Sequence, residues 1–182
     1  MKALALVLLL FSAFAAEAGR IVESSMGGDL TVQDAPDGAS LRTMGGDIRV
    51  GTARGQVIAK TMGGNITVDR LHGSLEAGTM GGNVKVDVIE GGGNIEISSM
   101  GGHIEIALPA NYSGTLDVEL EQDDEGPKNE IRSDFPLQIR ETKKNYWLRP
   151  DAIVVNGSGT IGSGKNRVKI TTIGGDIRIR RK

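Results

Sequence analysis

The stretch TMGGNITVDRLHGSLEAGTMGGNVKV, Thr61 to Val86, states one phrase twice: TMGGN returns after 18 residues, and each copy runs on into an apolar, polar, Val triplet. Aligned on the glycine pair, the phrase recurs as Met26-Gly27-Gly28-Asp29-Leu30, Met44-Gly45-Gly46-Asp47-Ile48, Met62-Gly63-Gly64-Asn65-Ile66, Met80-Gly81-Gly82-Asn83-Val84 and Met100-Gly101-Gly102-His103-Ile104, at steps of 18, 18, 18 and 20 residues. A sixth copy, Ile173-Gly174-Gly175-Asp176-Ile177, stands far downstream. A fixed short period is the mark of a solenoid, in which each repeat is a rung that cannot bury its apolar face alone and stacks on its neighbours.

Within a rung the apolar positions alternate. Val57, Ala59 and Thr61 share a parity with Leu75, Ala77, Thr79 and with Ile95, Ile97, Ser99; after the glycines come Ile48 and Val50, Ile66 and Val68, Val84 and Val86, Ile104 and Ile106. A period of two over so few residues predicts short strands with one buried face. Eighteen residues less two or three corners leaves strands of common length, and glycine suits the corners. The expected fold is all-β: a single-stranded, right-handed parallel β-helix (β-solenoid) of about 18 residues per rung, with neighbouring rungs about 4.8 Å apart and the hand taken from the rule for parallel crossovers. No segment beyond the leader holds a 3.6 period, which argues against a helical fold.

Composition agrees. The chain has 182 residues, enough for one domain with a continuous core. It carries 27 glycines and only 3% aromatics, the balance of a β-rich chain with many corners. The start, MKALALVLLLFSAFAAEAGR, has Lys2, an apolar run from Ala3 to Ala15 and a small-x-small site at Ala16-Glu17-Ala18. Residues 1–18 read as a secretory signal peptide and 19–182 as the solenoid domain. The run is shorter than a bilayer span, so no transmembrane segment is expected after cleavage. The absence of cysteine excludes a lipid-anchored lipoprotein and a disulfide framework, leaving packing to hold an exported chain together. Net charge is -2, with basic residues scattered among acidic ones and one short cluster, RIRRK, at the end, so no nucleic-acid partner is expected. The charged finish DIRIRRK reads as protection of one end of the coil.

The string GSGTIGSGKNRVKITTIGGDIRIRRK, Gly157 to Lys182, together with the repeated T-x-GGD/N-I-x-V rungs and LPANYSGTLDVEL, resembles the DUF4097 family of exported β-strand-repeat proteins labelled as adhesins. The resemblance covers nearly all of the chain beyond the leader. It implies a cell-envelope or secreted β-solenoid and brings no catalytic residues with it. The chain departs from the family pattern in its Met-rich corner column and in an irregular excursion at about 121–157. That excursion opens with the acidic, turn-rich EQDDEGPKNE and continues as IRSDFPLQIRETKKNYWLRPDAIVV. Its aromatics, Phe135, Tyr146 and Trp147, with Tyr112 just upstream, read as a strand or hairpin cap over the end of the coil. The functional alternative is contact with a glycan or partner through exposed Tyr146 and Trp147.

Met26, Met44, Met62, Met80 and Met100 account for every methionine after the initiator. Parity points the preceding Ser or Thr inward and Met outward. The favoured role is corner packing, with flexible thioethers filling irregular gaps. The sharper alternative is an apolar ridge for self-association, carried by Met44, Met62 and Met80. A soft metal such as Cu(I) is disfavoured, because thioethers without His or Cys support bind weakly. The column Asp29, Asp47, Asn65, Asn83, His103 could suggest Ca²⁺, yet only two acids are adjacent, and a side-chain ladder with capped turns accounts for it. No metal site and no cofactor are expected.

Enzymatic constellations are thin. His72 and His103 lack metal-ligand spacing, there is no G-x-S-x-G elbow, and the glycine pairs are followed by neither a helix nor Lys-Ser/Thr. Arg42, Arg49, Lys60, Lys85 and Glu105 fall on outward positions, where a solvated mixed-charge face is the simplest account. The expected protein is a non-enzymatic exported envelope or surface scaffold, adhesin-like, acting through solenoid faces or ends on an envelope protein, a glycan or a second copy. The alternatives are a carbohydrate-binding or carbohydrate-active β-helix and a regulatory partner in envelope stress.

Overall fold

The computed structural model describes residues 19–89, 93–126, 128–146 and 149–182. The proposed signal segment, residues 1–18, and Trp147 lie outside them. Each repeat supplies two strands joined at the glycine corner: β1 (Ile21–Ser25) and β2 (Leu30–Ala35), β3 (Gly38–Thr43) and β4 (Ile48–Ala53), β5 (Gln56–Lys60) and β6 (Ile66–Leu71), β7 (Leu75–Thr79) and β8 (Val84–Val88), β9 (Ile95–Ser99) and β10 (Ile104–Leu108). The strands before the glycines stack in parallel as one sheet and those after them as a second, in the register set by the repeat: Ala39 lies beside Val57, Val57 beside Leu75, Leu75 beside Ile95, and on the other sheet Ile48 beside Ile66 and Ile66 beside Val84. This is the expected parallel β-solenoid, and no helix occurs among the described residues.

The two sheets face each other across a core of the alternating residues. Leu41, Val57, Ala59, Ile66, Val68, Ile95, Ile97, Ile104 and Ile106 are all buried, as the pattern requires. Each buried Val, Leu or Ile contributes roughly 1.5–3 kcal/mol relative to exposure. Repeated in every rung, that burial offsets the cost of ordering a chain that lacks disulfides.

The order of rungs departs from the order of sequence. After β10 the chain makes β11 (Gly114–Asp123), β12 (Ile131–Ser133), β13 (Gln138–Tyr146) and β14 (Arg149–Ile161), and returns as β15 (Asn166–Ile173) and β16 (Ile177–Arg181). The nine-stranded sheet runs β1-β3-β5-β7-β9-β15-β11-β14-β13 and the seven-stranded sheet β12-β16-β10-β8-β6-β4-β2. The C-terminal repeat is thus inserted as a rung between the fifth repeat and the excursion, with Ile177 beside Ile104 on one side and Ile131 on the other. This corrects the reading of DIRIRRK as a protected end: its strand is internal, and the end belongs to other elements.

Those elements are antiparallel. β11 pairs with β14 and β14 with β13, so the parallel coil finishes in three antiparallel strands in the order β11-β14-β13. The reversal comes at Gly162 and Gly164, whose φ of 58° and 68° suit glycine; there the Ser163 amide donates to Ser113 Oγ at 2.9 Å. Phe135 and Tyr112 are buried in the core cluster, consistent with aromatics capping the coil, and the Arg181 guanidinium sits 4.7 Å over the Phe135 ring. The register puts Ile139, Glu141 and Lys143 of β13 on the core-side face, where Ile139 reaches Gly157 and Lys143 binds Asp124 at 2.6 Å. Core-side charge on an edge strand opposes further strand addition. At the other end β1 and β2 are the edge strands of their sheets among the described residues.

Candidate functional site

The corner that joins the two sheets repeats along the whole coil, and each of its residues has a separate job. The Ser or Thr before Met points inward. Thr61 Oγ1 donates to the Gly46 carbonyl at 3.0 Å and accepts from the Gly64 amide at 3.2 Å, so one hydroxyl ties its own corner to the rung below. Thr43 and Thr79 do the same, and Ser99 and Thr172 continue the file to the inserted rung. The second glycine lies directly over the previous corner, where a Cβ on Gly64 would collide with the Gly46 carbonyl. None of these residues is free to act on anything else.

The Asx column forms a second ladder. Asp29 Oδ1 accepts from the Asp47 amide at 2.8 Å, Asp47 Oδ1 from Asn65 at 2.7 Å, Asn65 Oδ1 from Asn83 at 2.9 Å and Asn83 Oδ1 from His103 at 2.9 Å. His103 Nδ1 then accepts from the Asp176 amide at 3.0 Å, and Asp176 Oδ1 from Glu130 at 2.9 Å. This is the ladder expected from the sequence, carried through the inserted rung. It also gives His103 a defined role, with Nδ1 as the acceptor and Nε2 left to carry the proton. Among the described residues no group of three or more His, Asp or Glu side chains is placed to hold a metal ion.

Met takes the remaining position, and here the favoured sequence reading is corrected. The five methionines fill no internal gap. Met26 is 84% exposed, and Met44, Met62, Met80 and Met100 are 48–52% exposed, in one file down the outside of the corner. They point outward because Thr and the second glycine occupy the inward space. The first glycine of each pair adds an open shelf: a Cβ there would meet nothing within 4 Å at Gly27 and only backbone at 3.9 Å at Gly45, Gly63 and Gly81. With Val22 and Ile139, these are the large apolar side chains left exposed among the described residues.

The outer faces are charged and internally paired. Arg49 meets Asp69 at 2.8 Å, Lys60 meets Glu76 at 2.5 Å, Lys169 meets Glu96 at 3.1 Å and Arg167 meets Asp117 at 2.7 Å. Glu105 is engaged by Arg180. Arg42 and Lys85 are exposed as their parity predicts. Lys143 and Lys128 beside Asp124 hold its carboxyl below the usual carboxylate range, chiefly through the Lys143 hydrogen bond, which is the reverse of what a general acid needs. Arg132 is pushed up by its hydrogen bond to Glu130. Burial pushes Tyr112 up to about 12, and its hydroxyl has no hydrogen-bond partner among the described residues, so it serves as a core filler with an unpaired polar tip.

Tyr146 ends β13 opposite Arg149; its side chain and the whole of Trp147 lie outside the described residues. No helix among the described residues is long and apolar enough to cross a membrane. No family model matches the chain, and neither a curated protein nor a solved structure matches it.

Proposed function

We propose that this is a non-enzymatic scaffold of the cell envelope or cell surface, adhesin-like, that acts through its outer ridge and its open end. The observation that carries the reading is the file of five exposed methionines along a coil whose inward groups are fully engaged in ladders. A continuous ladder of backbone and side-chain bonds makes a stiff rod, and a flexible apolar ridge on a stiff rod suits contact with another surface. The asymmetry of the ends adds to it: β13 places charge on its core-side face, whereas β1 is an edge strand among the described residues, with Val22 exposed. The signal-like leader and the resemblance to DUF4097 proteins support export, with an envelope protein, a glycan or a second copy as partner.

Sedimentation velocity over a concentration series tests the ridge, with Met44, Met62 and Met80 changed together to Ser. The expected result is a concentration-dependent larger species in the parent chain that the Ser variant lacks. A polysaccharide-cleaving activity that disappears on substituting outer-face Asp or Glu would overturn the scaffold reading in favour of a carbohydrate-active β-helix.

A further inference from the structure

We propose that the methionine corner is a self-complementary interface: two copies of the chain lie side by side with their rods parallel, each Met resting on the first glycine of the facing corner. The inference rests on the reading of the ridge as a contact surface and names its partner, a second copy. Each corner supplies a knob and a hole in adjacent positions. Met44, Met62 and Met80 are 51%, 49% and 48% exposed, and a Cβ on the glycine after each would meet nothing nearer than backbone at 3.9 Å. Register makes the corners equivalent, with Lys60 beside Gly78 and Thr79 beside Ser99, so knob and hole recur once per rung, about every 4.8 Å. A second copy has that interval by identity, so a fit at one corner carries to the next.

Two-fold symmetry offers two ways to bring the ridges together. Passing round a corner from the larger sheet to the smaller, the exposed residues are Arg42, Met44, Gly45 and Asp47. With the axis along the rods, opposite flanks face each other at one height, so Met44 meets the second copy's Gly45 and Arg42 meets its Asp47, each twice. With the axis across the rods, like flanks meet, which sets Met against Met and, at full overlap, Lys60 against Lys60. Shape therefore favours the parallel pair.

Charge favours it as well. Arg42 is exposed and makes no ion pair among the described residues, and Lys60 stands one rung further on the same flank. Asp29 and Asp47 stand exposed on the other flank, each with Oδ1 engaged by the ladder and no cation beside it among the described residues. The parallel pair brings these opposite signs together without uncoupling either ladder. Five corners span about 19 Å in a strip one corner wide, so the contact is small and the dimer weak and reversible.

Sedimentation velocity over a concentration series tests the fit. The parent chain should pass reversibly from monomer to dimer. Gly63→Leu fills a shelf that is empty in the monomer, so it should weaken the dimer at least about tenfold with the melting temperature nearly unchanged. Arg42→Glu and Asp47→Lys should each weaken it about tenfold, and the double variant, which remakes the pair in reverse, should return to within about threefold of the parent. Orientation is read by cross-linking, since the chain has no cysteine of its own. Gly45→Cys alone should couple through a short thiol-reactive linker, because the parallel pair sets position 45 opposite itself; the antiparallel pair would set it opposite 81 and couple only when mixed with Gly81→Cys. Coupling only in that mixture would overturn the proposal. A dimer lost with Met44, Met62 and Met80 changed to Ser, yet indifferent to Gly63→Leu and to the charge reversals, would overturn this geometry and leave the ridge reading standing. A parent that stays monomeric throughout would overturn both.

Discussion

Replacing Thr61 by Val keeps the side chain's shape and removes its hydroxyl. In the second link of the corner file this deletes a donor to the Gly46 carbonyl at 3.0 Å and an acceptor for the Gly64 amide at 3.2 Å. Thr61 is 5% exposed, so water cannot replace either partner without opening the corner. An orphaned buried backbone group costs about 1–3 kcal/mol. Two orphans, eased by partial relaxation, bring the expected loss to about 2–4 kcal/mol. Thr61→Ser keeps both bonds and gives up one methyl group, for roughly 1 kcal/mol. With a urea slope of about 2 kcal/mol/M, Val should lower the midpoint by roughly 1–2 M and Ser by roughly 0.5 M. Ser25→Ala provides the internal control, because Ser25 bonds the Gly28 amide at 2.9 Å at an exposed corner where water can substitute; it should cost under about 1 kcal/mol. The measurement is equilibrium unfolding followed by circular dichroism. If Thr61→Val proved as stable as Thr61→Ser, or Ser25→Ala as damaging as Thr61→Val, the ladder would not be what holds the corners in register.

Three further perturbations separate the contributions of the corner, the cap and the inserted rung. Gly64→Ala drives a Cβ into the Gly46 carbonyl and should cost about 2–3 kcal/mol, a fall of roughly 5–10 °C in melting temperature, whereas Gly63→Ala, with its nearest neighbour at 3.9 Å, should stay within about 1 kcal/mol. Tyr112 has a folded pKa of about 12 against an ordinary value of 10.0, so between those pH values the unfolded chain holds fewer protons and stability falls as pH rises; Tyr112→Phe should flatten that decline, seen as a smaller melting-temperature loss between pH 9 and 12 (roughly the Tyr range), and should cost little at neutral pH because the hydroxyl is unpaired. Truncation after Lys165 removes Val168, Ile170, Ile177 and Ile179, all fully buried, for a loss of roughly 6–12 kcal/mol of burial, comparable with the whole stability of a domain; loss of the cooperative thermal transition and binding of a hydrophobic dye are expected.

The coil was legible because its signals are local and repeated. Alternation in Val57-Ala59-Thr61 and Ile66-Val68 names the buried face, and the 18-residue step names the neighbour, so residue and partner can both be read without coordinates. The outward direction of Met followed from the same parity. Its role as filler did not hold, because Thr61 and Gly64 already fill the corner's inner side, a fact that depends on how closely the Gly64 backbone approaches Gly46. The place of the sixth copy was hidden for a different reason. Ile173-Gly174-Gly175-Asp176-Ile177 has the corner's composition, but nothing in a period says that a copy 73 residues after the fifth will lie beside it rather than beyond the excursion. The one available hint was His103 and Asp176 at equivalent positions, where the Asp176 backbone amide donates a hydrogen bond to His103 Nδ1 at 3.0 Å.

The inserted rung alters how a solenoid of this kind comes apart. In a coil built strictly in sequence order, both termini are end rungs, and fraying can begin at either. Here the chain's last strand has a neighbour on each side, β10 and β12, and the strand before it lies between β9 and β11. Joining Ile177 to Ile104 closes a loop of 73 residues where the ordinary rung closes 18. Loop entropy grows as (3/2)RT ln n, so the longer closure costs only about 1.2 kcal/mol more. Four fully buried aliphatic side chains outweigh that several-fold. The C-terminal strand is therefore held between other rungs at small entropic cost, the antiparallel strands are fixed to the coil through it, and local opening is directed to β1 and β2, the edge strands among the described residues, at the end that the proposed association would cover.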